Sequence, residues 1–501
     1  MLLIYPPVAK PCEPPAGIAL LAGVLRGHGL ACSLLDANLE GFLFLLASPP
    51  PPTDTWSLRA CRNLAANLTA LRNPELYGNR ARYQRAVSDV NRILEVAGLQ
   101  QALALSLANY QESGLSPLRS EDLLRAAAQP EKNIFFPYFA ARLPQKLAQS
   151  SPKMVGFSLN YLSQAICTFA MIGFLKQRYP GLTVVLGGGL VTSWMRNPEW
   201  RNPFAGLVDH LVAGPGEEQL LDLLSGEPMD GYHPPDYHDL PLADYLAPGF
   251  ILPYAASAGC YWNKCSFCPE KAEGNPYRRL PPDVVLDDID HLKARTRPIL
   301  LHFLDNAVSP ALMLEIALRP PGVEWYGFAR VGPLLADADF CRALRQSGCV
   351  MLKLGIESGD QGVLDAMDKG IELGMVSRVL FALRKAGIAV YVYLLFGTPS
   401  ESIVEARRTL QFVRQHHDAI SFLNLAVFNM PVSSPEACSM AVSDFYEGDL
   451  SLYADFVHPH GWGRKEVRKF LDQEFKRDPV VASILRNDPP IFTSNHAPFF
   501  C

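Results

Sequence analysis

The sequence predicts an α/β protein with two parallel sheets. The first is a Rossmann-like, doubly wound sheet interrupted by a helical insert; the second is a partial (β/α)6 barrel with an α-rich C-terminal extension. Three observations predict this. Short apolar runs alternate with helical periodicity within the first 225 residues, a second alternation begins near residue 250, and glycine or a polar residue closes most runs. Alternating βα units imply parallel strands joined by crossover helices. The expected division is 1–225 for the first sheet with 41–150 as its insert, 226–249 as a linker, 250–430 as the barrel and 431–501 as the extension.

Leu2–Tyr5 is an apolar run stopped by Pro6 and Pro7, which suits a buried parallel strand. Gly17–Arg26 has helical spacing, Gly29 ends it, and Ala31–Leu35 forms the next strand, closing on Asp36. Within the insert, Ser57–Leu68, Arg80–Ala97 and Ser120–Ala128 have helical spacing with polar faces. The alternation resumes with Met154–Leu159 as strand, Gln164–Arg178 as helix and Thr183–Leu186 as strand running into Gly187-Gly188-Gly189. His210–Ala213 is a further strand, followed by the turn Gly214-Pro215-Gly216-Glu217 and a helix from Gln219. Ligands of such sheets bind at the carboxyl ends of the strands, where these glycine turns fall.

The second alternation counts to six. Strands are expected at Phe250–Ala258, Ile299–Leu304, Glu324–Ala329, Val350–Ile356, Ala389–Phe396 and Ile420–Phe428. Helices are expected at Pro282–Arg295, Ala336–Gln346, Leu373–Ala386 and Glu401–Gln415. Asp305, Arg330, Glu357 and Gly397 stand at strand ends, the rim where a parallel barrel carries its chemistry.

Composition bounds the function. The chain has 501 residues, 49% hydrophobic and 19% charged, with a formal net charge of −5, which supplies large cores and excludes a disordered chain. Mild acidity denies it the basic footprint of non-specific nucleic-acid binding, so no nucleic-acid partner is expected. No run reaches the roughly 18 apolar residues of a membrane span, and MLLIYPP lacks a cationic leader, so the reading is cytoplasmic with no membrane partner. The 11 cysteines are odd in number and scattered, which argues against a disulfide framework.

One cysteine group is tight. Cys260-Tyr-Trp-Asn-Lys-Cys265-Ser-Phe-Cys268 places three thiols directly after a strand. Three sulfurs suit an iron–sulfur cluster that keeps one iron open, and equally a zinc ion with a distant fourth ligand.

This loop has an aromatic residue just before its third cysteine and a six-unit barrel behind it. It resembles the radical S-adenosylmethionine (SAM) superfamily over most of residues 250–430. The likeness extends to Asp305-Asn306, Gly355-Ile-Glu-Ser-Gly359 with Lys369-Gly370, and Phe396-Gly397-Thr-Pro399-Ser-Glu401. The sequence departs from the family pattern in having four residues, rather than three, between Cys260 and Cys265. The resemblance implies a [4Fe-4S] cluster on Cys260, Cys265 and Cys268, with SAM chelating the open iron. Phe267 is then expected against adenine, Glu357 and Ser358 at the ribose or methionyl part, and Arg330 at the carboxylate; Asp305 and Gly397 complete the SAM contacts. The competing readings are an ion pair between Glu357 and Arg330, and an ordinary turn at Gly397 and Pro399.

The first sheet is similar to the cobalamin-binding domain that precedes the barrel in one branch of that superfamily. Ser158, Gly187, Gly188, Gly189, Gly214, Gly216 and Glu217 are the expected cobalamin contacts, with a helix cap as the alternative for Ser158. The Asp-x-His-x-x-Gly motif by which other cobalamin domains ligate cobalt is absent. Asp36-Ala-Asn38-Leu-Glu-Gly41 only mimics it, so the cobalt is expected to lack a protein histidine. The remaining histidines, including His416-His417 and His458-Pro-His460, show no metal-ligand spacing with a carboxylate or cysteine.

The resemblance implies C-methylation of an unactivated carbon, through a 5′-deoxyadenosyl radical and methylcobalamin. The expected partners are a small-molecule or peptide substrate and a one-electron reductase of flavodoxin or ferredoxin type. The alternatives are a cobalamin-assisted rearrangement or cyclisation, and a zinc-stabilised ligand-binding or interaction protein. A methylthiotransferase with a second cluster on Cys12, Cys32 and Cys61 is disfavoured because the flanking motif is missing. Selectivity is expected in the insert and in the extension, around Tyr446, Tyr453, Phe456 and Trp462. The tail Asn495–Cys501 ends in a thiol that a mobile terminus brings to a cofactor, or that has no role there.

Overall fold

The computed structural model describes residues 1–490 and 496–501, without the side chains of Cys438, Ser439 and Asp444. The described residues divide into two compact units: Met1–Phe250 with Tyr446–Leu452 and Pro490, and Ile251–Phe445 with Tyr453–Pro489 and 496–501.

In the first unit the strands are β1 (Leu2–Tyr5), β2 (Ser33–Asp36), β3 (Leu103–Ser106), β4 (Asn109–Glu112), β5 (Met154–Ser158), β6 (Thr183–Gly187) and β7 (His210–Leu211). Five form a parallel sheet in the order β2-β1-β5-β6-β7. With the hairpin β3–β4 set aside, this is the 2-1-3-4-5 order of a doubly wound sheet, and the strand order reverses between β1 and β5. Ile4 pairs with Leu35 on one side and Phe157 on the other, and all three are buried, as a sheet covered on both faces requires.

The insert holds the three expected helices at Thr55–Leu71, Arg80–Leu99 and Ser120–Ala128. It also holds a helix at Phe136–Ser150, with Pro137 in its first turn and Pro144 inside it, and the antiparallel hairpin β3–β4. The hairpin corrects the all-helical expectation. Leu103 and Leu105 face inward while Ala104 is exposed, a period of two too short to stand out from the helical stretches around it.

In the second unit the strands are β8 (Ile251–Tyr254), β9 (Ser257–Ala258), β10 (Arg278–Arg279), β11 (Leu300–Phe303), β12 (Glu324–Ala329), β13 (Cys349–Glu357), β14 (Ala389–Phe396) and β15 (Phe422–Val427). Six of them form the parallel sheet β8-β11-β12-β13-β14-β15. The expected first strand divides in two, since Ser257–Ala258 turns away to pair antiparallel with Arg278–Arg279. Helices at Pro310–Leu318 and Gln361–Ala366 escape the sequence pattern. The first is almost wholly apolar and has no polar face to reveal a period, although Ser309 caps it by accepting from the Leu312 N–H at 3.2 Å. The extension carries a small antiparallel sheet of Met430–Pro431, Val442–Asp444 and Tyr453–Phe456 ahead of helices Arg464–Phe470 and Pro479–Leu485.

Candidate cofactor sites

The three-cysteine loop leaves the carboxyl edge of the six-stranded sheet just past β9, and all three cysteines are partly exposed. Asp305, buried after β11, secures the approach to the loop. One carboxylate oxygen accepts the Ala256 N–H at 3.0 Å and the other the Ser257 hydroxyl at 2.5 Å, while burial raises its pKa. Asn306 donates to the Gly259 carbonyl at 3.1 Å. Gly259, at φ +72°, lies so close to Pro276 that a Cβ would sit 2.5 Å from that carbonyl oxygen. Both polar side chains therefore hold the strand end that launches the cysteines.

The extra residue between Cys260 and Cys265 is accommodated by two features. Asn263 takes a left-handed conformation at φ +46°, one of the few non-glycine types that adopts it readily. Trp262 packs on Gly370, whose own φ is +63° and whose missing Cβ would lie 2.1 Å from the ring, and its indole N–H donates to the Asp368 carbonyl at 3.1 Å. The Ser266 N–H donates to the Met367 carbonyl at 3.0 Å, so both halves of the loop are tied to the segment after helix Gln361–Ala366.

Glu357 and Arg330 do not pair with each other. Glu357, at φ +67° on the end of β13, bonds Lys369 at 2.8 Å, and both side chains are largely buried. Lys369 Nζ also lies 5.4 Å from the Phe267 ring centre. Arg330 stacks on Trp262 and donates to the carbonyls of Lys369 and Gly370. Burial pushes the Cys265 and Cys268 thiols up; Lys369 and Arg330 pull Cys265 back down, as the N–H groups of Lys271 and Glu270 do for Cys268. Lys369 and Trp262 are site residues that the sequence reading did not assign. Their only prior signal was the Lys369-Gly370 pair and an aromatic residue in the widened spacer.

Two expected SAM contacts have other partners. Ser358 is fully buried, with its hydroxyl 3.2 Å from the Thr409 hydroxyl and accepting the Asp360 N–H at 3.1 Å. Gly397, at φ +82°, closes the turn after β14, where its N–H donates to Glu401 at 2.5 Å. Trp462 is buried and donates its indole N–H to the same carboxylate at 2.8 Å. Cys501 donates to the Ala497 carbonyl at 3.5 Å, and burial and Glu324 push its thiol up. Glu324 begins β12, so this thiol stands at the amino edge, opposite the cysteine loop; Asn495 lies outside the described residues.

In the first unit, Ser158, Gly187–Gly189 and Gly214–Glu217 gather at the carboxyl edge of the sheet. Asn160, unassigned from sequence, bridges two of these turns: it donates to the Ser158 hydroxyl at 3.0 Å and accepts the Gly189 N–H at 2.9 Å. Ser158 is therefore not a helix cap; Gln164 closes the next helix by accepting the N–H groups of Asn160 and Tyr161. Gly188, at φ +108°, crosses Leu159 so closely that a Cβ would lie 2.4 Å from its carbonyl oxygen. Gly214, at φ +75°, has open space where a Cβ would stand, and its N–H donates to Thr192 at 2.9 Å. Gly216 caps the helix Glu217–Ser225. Asp36 and Asn38 are helix and loop supports: Asp36 accepts the Leu39 N–H at 2.9 Å and the Tyr245 hydroxyl at 2.7 Å, and Asn38 accepts the Ala9 N–H at 2.8 Å.

Cys12 follows β1 while Cys32 precedes β2, so they occupy opposite edges of the parallel sheet and share no cluster. Among the described residues, only His28, Asp230 and His233 bring three ligand atoms within 4.8 Å of one another, which corrects the expectation that no histidine has such partners. No helix among the described residues is long and apolar enough to cross a membrane.

Residues 254–413 match the family model of the Radical SAM superfamily, and this part of the chain is a radical SAM domain. The chain is 26% identical to bacteriochlorophyllide d C-12(1)-methyltransferase of Chlorobaculum tepidum, over 40% of this chain and 48% of that one. It is 24% identical to an uncharacterized methyltransferase of Pyrococcus horikoshii, over 53% of this chain and 64% of that one. The matches thus span roughly half to two thirds of these relatives' lengths. Two structures of the radical S-adenosylmethionine methyltransferase TsrM from Kitasatospora setae share the fold at 16% identity. The one with tryptophan substrate and a SAM analogue has a TM-score of 0.53, covering 88% of this chain and 77% of that one. The one with cobalamin and a [4Fe-4S] cluster has a TM-score of 0.52, covering 94% and 84%.

Proposed function

We propose that this chain is a cobalamin-dependent radical SAM enzyme that methylates an unactivated carbon of a small-molecule or peptide substrate. The observation that carries the reading is the loop of Cys260, Cys265 and Cys268 at the carboxyl edge of the six-stranded sheet, beside Arg330, Glu357 and Lys369.

The donor set fits a cluster. Three free thiols on one partly exposed loop, with two cations in reach of Cys265, suit thiolate ligation of a cluster. The first sheet fits a bulky cofactor, because Gly214 leaves open space at a strand end and Asn160 braces the turns. When bound, the cluster and SAM supply a hydrogen-abstracting radical and cobalamin supplies the methyl group, chemistry that acid–base side chains cannot perform on a carbon without an acidic proton.

The chain's own residues bind and orient. Lys369 holds Glu357 with its carboxylate at the strand end, and its charge faces the ring of Phe267. Arg330 keeps its cation on Trp262, inside the cysteine spacer. Ser358 and Gly397 support the turns that carry these groups. The methyltransferase names of the relatives and the shared fold of TsrM favour methyl transfer over rearrangement.

Metal analysis after anaerobic purification with cobalamin supplied tests the reading. It expects about four irons per chain, as a cubic cluster requires, and one cobalt. Iron without cobalt rejects the cobalamin part, and zinc alone rejects the radical enzyme.

A further inference from the structure

We infer that His28, Asp230 and His233 form a binding site for a divalent transition-metal ion of borderline type, such as zinc, distinct from both cofactor sites. His28 is the C-terminal cap of the helix Ala16–Gly27, and Asp230 and His233 belong to the segment that follows helix Glu217–Ser225. The helix after β1 runs antiparallel to the sheet, so its C-terminal end lies at the amino edge. The expected cobalamin contacts all lie at the carboxyl edge.

The ligand atoms of the three side chains converge to within 4.8 Å of one another. His28 Nδ1 lies 2.9 Å from the Val24 carbonyl oxygen, which makes Nδ1 the protonated nitrogen and leaves a lone pair on Nε2. That lone pair accepts the Asp230 N–H at 3.4 Å and also lies 2.7 Å from Asp230 Oδ1, another acceptor, so one long hydrogen bond leaves the carboxylate facing it. His233 Nε2 is buried, has no hydrogen-bond partner, and stands 3.7 Å from the same carboxylate oxygen. Ligands about 2.0–2.1 Å from a tetrahedral ion are about 3.3 Å apart, close to these separations. The Nδ1–H bond to a backbone carbonyl is the usual outer support of a ligating histidine. A bound cation relieves the repulsion of the facing acceptors, and the exposed side of Asp230 leaves a fourth position for water.

The site is also built from below. Gly27 has no Cβ where His233 sits, since a Cβ there would lie 2.2 Å from Nδ1 of that ring. Gly23, one turn earlier, makes room for Pro234, whose carbonyl oxygen would lie 1.9 Å from a Cβ. Arg26 then clamps the segment through Asp236 at 2.7 Å and Asp239 at 2.5 Å. A groove of two glycines and an arginine clamp thus delivers His233 to His28 across a long stretch of sequence.

The test is zinc and cobalt(II) titration of the full chain carrying Cys260→Ala, Cys265→Ala and Cys268→Ala, which removes binding at the three-cysteine loop. The parent is expected to bind one equivalent, with a cobalt(II) spectrum free of thiolate charge-transfer bands and a thermal midpoint raised by zinc. His28→Gln, His233→Ala and Asp230→Asn are each expected to weaken binding by about 10-fold or more. Asp230 is exposed, so its variant tests the site even where a histidine variant fails to fold. Equal binding by the parent and Asp230→Asn overturns the inference. So does an NMR titration in which His28 stays doubly protonated at saturating zinc, since a proton then takes the ion's place.

Discussion

The Arg330 guanidinium lies 3.8 Å from the centre of the Trp262 ring, and that ring in turn covers the missing side chain of Gly370. The widened spacer between Cys260 and Cys265 is thus locked to the segment after β13 rather than left as slack. Gly370→Ala adds a Cβ at positive φ directly against the ring, which is expected to cost about 1–3 kcal/mol. Its readout is a lower thermal midpoint together with partial loss of iron. Trp262→Phe, which keeps a ring there, is expected to retain more iron than Trp262→Ala.

Replacing Cys260, Cys265 or Cys268 by alanine is expected to abolish iron binding at the site while the circular dichroism of the chain remains. Unchanged iron in any one of the three variants excludes that cysteine as a ligand.

Glu401 is buried, with Oε1 unpartnered, and burial raises its pKa to about 7. Its folded value stands above the unfolded 4.5, so the folded state holds the proton more tightly. Its stabilising contribution is complete below pH 4.5, falls as pH rises, and is lost above about 7. Asp36, raised to about 6 by burial, acts in the same direction over a lower range. Glu401→Gln keeps an oxygen for the Gly397 and Trp462 N–H groups and removes the ionisation. It is expected to be more stable than the parent at pH 8 by on the order of 1–3 kcal/mol, with the gap closing toward pH 4.5 in urea melts.

Asn160→Ala cuts the bridge between Ser158 and Gly189 without touching the sheet core. On the proposed reading, it lowers cobalamin retention several-fold and leaves iron content unchanged. Equal cobalamin retention removes Asn160 from the site.

Cys501→Ser is expected to leave the spectra of iron and cobalamin unchanged, because the thiol stands beside the amino start of β12. A shifted cluster spectrum overturns that placement.

The sequence by itself determined the two alternations, six barrel strands to within a few residues, and the cysteine loop at a strand end. Those features rest on local periodicity and on glycine and proline punctuation, which each segment carries within its own residues. The hairpin β3–β4 and the apolar helix Pro310–Leu318 escaped because one has too few residues for a period and the other lacks a polar face. Only the tertiary structure decided which polar groups meet. Glu357 and Arg330 stood as a plausible pair until packing gave Glu357 to Lys369 and Arg330 to Trp262. His28 found Asp230 and His233 because two helix glycines admit a distant segment. Such partners depend on the space between packed elements, which the spacing of residues along the chain does not encode.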